Sequence, residues 1–220
     1  MLVGSHELVW RRSHSHEISP SSIPLLLSPL SLSPQLRRLR LHHHRIKRHG
    51  LHPYKLLRHL IGLYPDLCYA SLSGYANAIQ QDPARLARTA IGVSLSRARH
   101  MAAFVSNLSR EADYGADPRA SAALHDCFSN MGDAVDEIRG SLDQMRRLVA
   151  PGSESFRFQM GNVQTWMSAA LTDEETCTDG FEDVGEWPMK EAVCERAANV
   201  KKFTSNALAL VNSYAEKGTN

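Results

Sequence analysis

Between positions 119 and 149, apolar residues fall at Ala120, Leu124, Cys127, Met131, Val135, Ile138, Leu142, Met145 and Val149. These steps of three and four continue for about eight turns, the repeat of one long amphipathic helix. Asp117 and Pro118 open it: a carboxylate to cap the first turn, then a ring with no N–H to leave unsatisfied. Ala150, Pro151 and Gly152 close it. Asp82 and Pro83 repeat that device ahead of a second long stripe, Ala84, Ala87, Ile91, Leu95, Ala98, Ala102 and Val105, which ends near Asp113, Tyr114 and Gly115. Ser153 can cap a third helix with Phe156, Met160, Val163, Met167 and Ala170 inward. Thr172 followed by Glu175 has capping-box spacing, which predicts a fresh short helix that stops at Asp179 and Gly180. Residues 181–187 form a connector. Pro188 then starts the last helix, with Val193, Ala197, Val200, Thr204, Ala207, Val211 and Tyr214 on its inner face.

Ahead of these stripes, residues 54–80 predict two short helices broken at Tyr64 and Pro65, a helical hairpin. No strand-type alternation of useful length and no Gly-rich phosphate loop occurs. The pattern therefore predicts an all-α protein, an up-down-up-down four-helix bundle with an N-terminal helical hairpin. It divides the chain into residues 1–52 and 53–217, the latter a hairpin at 53–81 and a bundle at 82–217.

Composition is ordinary for a globular chain of 220 residues, 43% hydrophobic and 22% charged, but charge is unevenly spread. Residues 1–60 hold ten Lys/Arg against two acids, a net of +8; the remainder holds fifteen against twenty-one, a net of −6. The segment 1–52 combines a Ser/Pro/Leu-rich stretch with the basic run QLRRLRLHHHRIKRHG, and neither can bury a core alone. It reads as a disordered basic tail. Its histidines 42–44 have no carboxylate near and positive charge around them, so no metal site is predicted. The run can touch RNA or anionic lipid, but without interleaved aromatics it predicts no specific nucleic-acid recognition. No apolar run reaches eighteen residues, so no transmembrane segment is predicted. IPLLLSPLSL, residues 23–32, follows Arg11 and Arg12 in the manner of a secretory signal, yet Pro24 and Pro29 interrupt it and no small-x-small cleavage site follows cleanly.

Four cysteines, Cys68, Cys127, Cys177 and Cys194, are too few for a disulfide-held mini-protein and lack metal-binding spacing. No nucleophile, base and acid come together in sequence, and His100 and His125 stand alone on their helices. The chain is not predicted to be an enzyme, and no cofactor is expected. Asn107, Leu108 and Ser109 form an N-glycosylation sequon near the end of the helix from residue 83.

Four local motifs go beyond periodicity. YPDLC (64–68), ALHDCFSNMGDAVDEI (123–138), WMSAALTDEETCTDGF (166–181) and TSNALALVN (204–212) resemble, in order and spacing, the plant invertase/pectin methylesterase inhibitor family. The resemblance covers residues 56 to 215. It implies an extracellular four-helix bundle with an N-terminal hairpin, located in the apoplast or cell wall, although the signal peptide of this chain is atypical or missing. By motif position it also implies a disulfide between Cys127 and Cys177, whose closure of a loop of about fifty residues is worth roughly 4 kcal/mol in the chain-entropy model. The family's first hairpin cysteine would fall near His59, so Cys68 lacks its usual partner, and Cys194 resembles an extra unpaired cysteine. Both are expected to be free.

Within the family, invertase inhibitors carry a Pro-Lys-Phe tripeptide at the start of the third bundle helix. Ser155, Phe156, Arg157 and Phe158 stand there in this chain, so the resemblance favours the pectin methylesterase inhibitor branch. It implies a 1:1 complex that covers the pectin-binding cleft of the esterase. By family position, Asp133, Asp136, Gln159, Thr165, Thr176 and Asp179 are the candidate interface residues; a solvated acidic face is the bland alternative. Homodimers through the hairpin are a further expectation. Two rival readings stay open: an inhibitor of acid invertase on the same scaffold, and a non-inhibitory intracellular helical interaction protein with a basic tail.

Overall fold

The computed structural model describes residues 63–112 and 117–219. Among these the chain forms six α-helices and one 3₁₀ turn, and no strand. A short limb comes first: α1 (Pro65–Leu72), the 3₁₀ turn (Ser73–Tyr75) and α2 (Ala76–Ile79). Gln80 and Gln81 both adopt left-handed backbone, with φ of 49° and 60°, and swing the chain into the bundle. Four long helices follow, α3 (Pro83–Ala112), α4 (Pro118–Arg146), α5 (Glu154–Asp179) and α6 (Lys190–Thr219). Helix α3 packs on α4 and α6, and α5 packs on the same two, so the four close a ring around one core.

The helix starts are built by the residues that predict them. The Asp82 carboxylate accepts from the Ala84 and Arg85 amides at 2.8 and 3.2 Å, Asp117 from the Arg119 amide at 2.9 Å, and Ser153 Oγ from the Phe156 amide at 3.1 Å. Each cap satisfies amides the helix itself cannot, worth about 1 kcal/mol. The stripes meet in the middle: Ile91, Ala98, Val105, Leu124, Met131, Ile138, Phe156, Val163, Met167, Val193 and Val211 are fully or almost fully buried. The far end of the bundle is closed by Gly218, whose carbonyl accepts from the Gly152 amide at 2.8 Å. A Cβ on Gly218 would lie 2.5 Å from the buried Phe156 ring, so only glycine fits there.

Three local expectations are corrected. No helix begins at Thr172; α5 runs unbroken from Glu154 to Asp179. The Thr172 hydroxyl turns back to the Ser168 carbonyl at 3.3 Å instead of capping. Ala170, Glu174 and Cys177 continue the buried stripe, so packing overrides the local cap pattern. Helix α4 ends at Arg146, which leaves Val149 outside it and 40% exposed. The second hairpin limb is not one helix but the α1, 3₁₀, α2 series. That limb is tied to the bundle by Asn206 on α6, which bonds both the amide and the carbonyl of Tyr64 at 3.1 and 2.9 Å. The first limb, the basic segment and the signal-like stretch lie outside the described residues.

Candidate functional site

The α4–α5 seam carries most of the predicted site residues. Helix α4 brings Cys127 and α5 brings Cys177 together in a disulfide of 2.03 Å, fully buried and spanning 50 residues. Further along, Ser141 Oγ reaches the Val163 carbonyl at 3.4 Å and the indole of Trp166 covers Gly140, where an added Cβ would meet the ring at 3.5 Å. At the far end Gln159 clamps the loop between the helices: its Oε1 accepts from the Val149 amide at 2.9 Å and its Nε2 donates to the Arg147 carbonyl at 3.3 Å. The helices are therefore antiparallel and locked in register, covalently at one end and by an amide at the other.

On the outer surface of this seam Asp133 and Asp136 are exposed, one turn apart on α4. Asp136 is ion-paired with Arg139. Thr165, Thr176 and Asp179 are exposed on α5, at spacings that keep them on one stripe. The Thr176 hydroxyl donates to the Thr172 carbonyl at 2.8 Å, which leaves its lone pairs outward. Gln159 stands apart from this group, because both halves of its amide are used within the chain. Asn107 is exposed near the end of α3, and its Oδ1 accepts from Arg110 at 2.5 Å.

Sequence reasoning missed the acidic pair beneath that surface. The half-buried carboxyls of Glu137 on α4 and Asp173 on α5 meet across the seam, beside Asp133. Burial first, then the bond to Asp173 and the charges of Asp173 and Asp133, push the Glu137 carboxyl up to about 7. Burial likewise raises Asp173, against the lowering effect of its bond with Glu137. One Glu137 oxygen is buried with no hydrogen-bond partner, as a shared proton on the other oxygen would leave it. The register explains the meeting: with 127 joined to 177 and 140 under 166, Asp173 falls opposite Asp133, and Glu137 stands one turn further along α4.

A second missed group lies inside the bundle. Glu174 is fully buried; one carboxyl oxygen accepts from Thr204 Oγ1 at 2.6 Å, and the Thr204 hydroxyl lies 2.7 Å from Ser94 Oγ. This polar thread joins α5, α6 and α3 through the core. Burial pushes the Glu174 carboxyl up to about 8, despite its bond to Thr204. Cys68 and Cys194 carry free thiols. Burial holds Cys68 up at about 11 and raises Cys194 against the opposing charge of Lys190, so both stay protonated and poorly nucleophilic at neutral pH. Among the described residues no group of His, Cys, Asp or Glu could hold a metal ion, and no helix is long and apolar enough to cross a membrane.

A family model described as plant invertase/pectin methylesterase inhibitor matches residues 62–210. The chain belongs to that family. It is 44% identical over 155 residues to the 21 kDa protein of Daucus carota, covering 70% of this chain and 79% of that one. It is 42% identical over 156 residues to pectinesterase inhibitor 11 and 43% over 157 residues to pectinesterase inhibitor 9 of Arabidopsis thaliana, in each case covering 70% of this chain and 76% of the relative. The crystal structure of a mutant form of a pectin methylesterase inhibitor from Arabidopsis shares its fold, with a TM-score of 0.54 at 19% identity over 69% of this chain and 90% of that one. Members of the family are inhibitors, and this chain is not an enzyme.

Proposed function

We propose that the chain inhibits a plant pectin methylesterase, one inhibitor to one enzyme, by laying the exposed α4–α5 face across the cleft that admits pectin. The observation that carries this is identity above 40%, across most of the bundle, to proteins named pectinesterase inhibitors. The start of α5 supports the same choice over invertase: Ser155, Phe156, Arg157 and Phe158 offer no Pro-Lys-Phe, and Phe156 is buried in the core instead of projecting. A rigid face stapled by a disulfide suits occlusion, since a blocking surface that does not reorganise loses little entropy on binding. The Cys127–Cys177 disulfide also suits an oxidising compartment, and we place the protein in the cell wall. Asp133, Asp136, Thr165, Thr176 and Asp179 supply the polar contacts; Gln159 acts indirectly, by holding the α4–α5 loop. Pairing of two copies through the hairpin belongs to the same reading.

The test is titration of the full chain against purified plant pectin methylesterase and, separately, acid invertase. De-esterification should stop near one equivalent while sucrose cleavage continues. Asp133→Asn with Asp136→Asn should weaken inhibition several-fold without unfolding the bundle, as expected when exposed charges leave an interface. Full de-esterification beside a molar excess of folded protein would sink the proposal, and arrest of the invertase alone would replace it with the rival on the same scaffold.

A further inference from the structure

The opposite seam of α4 has the opposite character. Arg85, Arg88 and Arg99 along α3, and Arg139 and Arg146 along α4, line two adjoining cavities of about 580 and 420 Å³ that share Gly92. Of the fifteen Lys/Arg beyond residue 60, five therefore converge on one groove, with Asp143 the single acid in its lining, on a body whose net charge is −6. None of the five is lysine. Leu95 and Leu142 give the groove an apolar floor, and Thr89 and Ser96 also line it, the Thr89 hydroxyl donating to the Arg85 carbonyl at 2.7 Å.

We infer that this α3–α4 groove binds a linear oligosaccharide of uronic acids, namely stretches of pectin already stripped of methyl ester. Arginine's planar fork matches a carboxylate in two parallel hydrogen bonds, which a lysine cannot do. Arg88 and Arg99 have no hydrogen-bond or ion-pair partner among the described residues. They stand eleven residues apart on α3, about 16 Å along the axis, a span for several linked sugars and too long for one small anion. Arg85 pairs with Asp82 at 3.4 Å, Arg146 with Asp143 at 2.8 Å, and Arg139 with Asp136, all exposed and three residues apart. Pairs of that kind are worth less than about 1 kcal/mol and yield readily to a better acceptor. No Phe, Tyr or Trp lines the groove and His100 is its single aromatic ring, so it lacks the series of platforms on which successive nucleic-acid bases stack. An apolar floor between guanidinium walls instead fits a sugar ring, one face of which is C–H. At Gly92 an added Cβ would meet nothing within 4 Å, so the middle of the groove is open space.

The identity of the ligand rests on the proposed function: an esterase that demethylates pectin leaves one carboxylate on each sugar it has served. An inhibitor that also holds that product collects where the enzyme has been most active. Binding is measured without any esterase, on the full chain, by fluorescence anisotropy of a labelled unesterified oligogalacturonate. A fully methyl-esterified oligomer and a polyphosphate of matched charge serve as comparison ligands. The unesterified oligomer should bind at least about tenfold more tightly than either comparison ligand. Two variants should each lose about tenfold: Arg88→Gln with Arg99→Gln, which removes charge, and Gly92→Leu, which keeps every charge and fills the groove. The same variants should inhibit esterase as the parent does. Equal binding by parent and Gly92→Leu would overturn the inference and assign the affinity to the basic segment before residue 53. Equal affinity for polyphosphate would overturn it by reducing the groove to ion exchange. Loss of inhibition with uronate binding intact would sink only the proposed function.

Discussion

Helix α4 is shared by two seams that solve the same packing problem in opposite ways. Toward α5 it is closed: a disulfide at one end, a glutamine clamp at the other, an indole over Gly140, and a pair of carboxyls between the helices. Toward α3 it is open, with arginines on the rims and a glycine facing empty space. A bundle needs its inner stripes covered, and both seams achieve that with buried Leu, Ile, Met and Ala. What they do with their outer edges is free to differ. The closed edge gives a fixed shape, which suits recognition of a folded partner; the open edge gives room and charge, which suits a flexible chain of anions.

The largest expected effect breaks the closed seam. Replacing Cys127 and Cys177 together with Ala should lower stability by about 4 kcal/mol, the entropy released to the unfolded chain when a loop of 50 residues is no longer closed. In a domain of this size that is a fall in melting temperature of about 10 °C. Thermal melts of oxidised parent and double variant read it directly. A fall of 2 °C or less would mean that packing alone fixes the seam, and the contrast with the α3 side would lose its covalent basis.

How much of this was legible in the sequence follows from what each feature depends on. The bundle was legible because periodicity is a local quantity, and the Asp82, Asp117 and Ser153 caps act on amides two or three residues away. The false break at Thr172 came from the same locality: a four-residue pattern has no knowledge that Glu174 must face inward with Ala170 and Cys177. The disulfide was reached by resemblance to a family, not by geometry. The acidic pair and the arginine groove were invisible because each is made by two helices at once. Arg85, Arg88 and Arg99 look like ordinary surface charge until α4 adds Arg139 and Arg146 from the other side. Gln159 shows the same limit: polar and partly exposed, it reads as an interface residue, and only the fold shows that its amide also bonds Val149 and Arg147.

A second prediction concerns pH and falls on the acidic side alone, since guanidinium groups keep their charge throughout the range. Glu174 rises from an ordinary 4.5 to about 8 in the fold, with Thr204, Asp173 and Lys201 facing it, and Glu137 rises from 4.5 to about 7. A raised pKa means that the folded form holds a proton the unfolded form releases. Their stabilising contribution is whole below about 4.5 and is lost as pH climbs, through about 7 for Glu137 and about 8 for Glu174. The bundle should therefore melt highest in acid. Glu174→Gln keeps the shape without the charge, and should recover on the order of 3 kcal/mol at pH above 8 while flattening most of the slope. Glu137→Gln should remove a smaller part, confined below about 7, because water screens the half-buried pair. A parent whose melting temperature is level from pH 4.5 to 8 would show both carboxyls ionised in the fold.

The smallest effect compares one substitution at two helical glycines. Leucine at Gly140 must share space with Trp166, whose ring already lies 3.5 Å from where a Cβ would sit. Something has to move there, and overpacking of this kind costs about 1–3 kcal/mol. Leucine at Gly92 meets nothing within 4 Å. It should be neutral or stabilising by up to about 1 kcal/mol, because glycine is the costlier residue in a helix interior. Urea unfolding of Gly140→Leu and Gly92→Leu at one pH isolates the difference, since both changes add the same atoms to the same kind of backbone. Equal destabilisation would mean that the α3–α4 groove closes in solution. A stable Gly92→Leu beside a weakened Gly140→Leu would place the open space where the arginines are, on the side of α4 that has no other use for it.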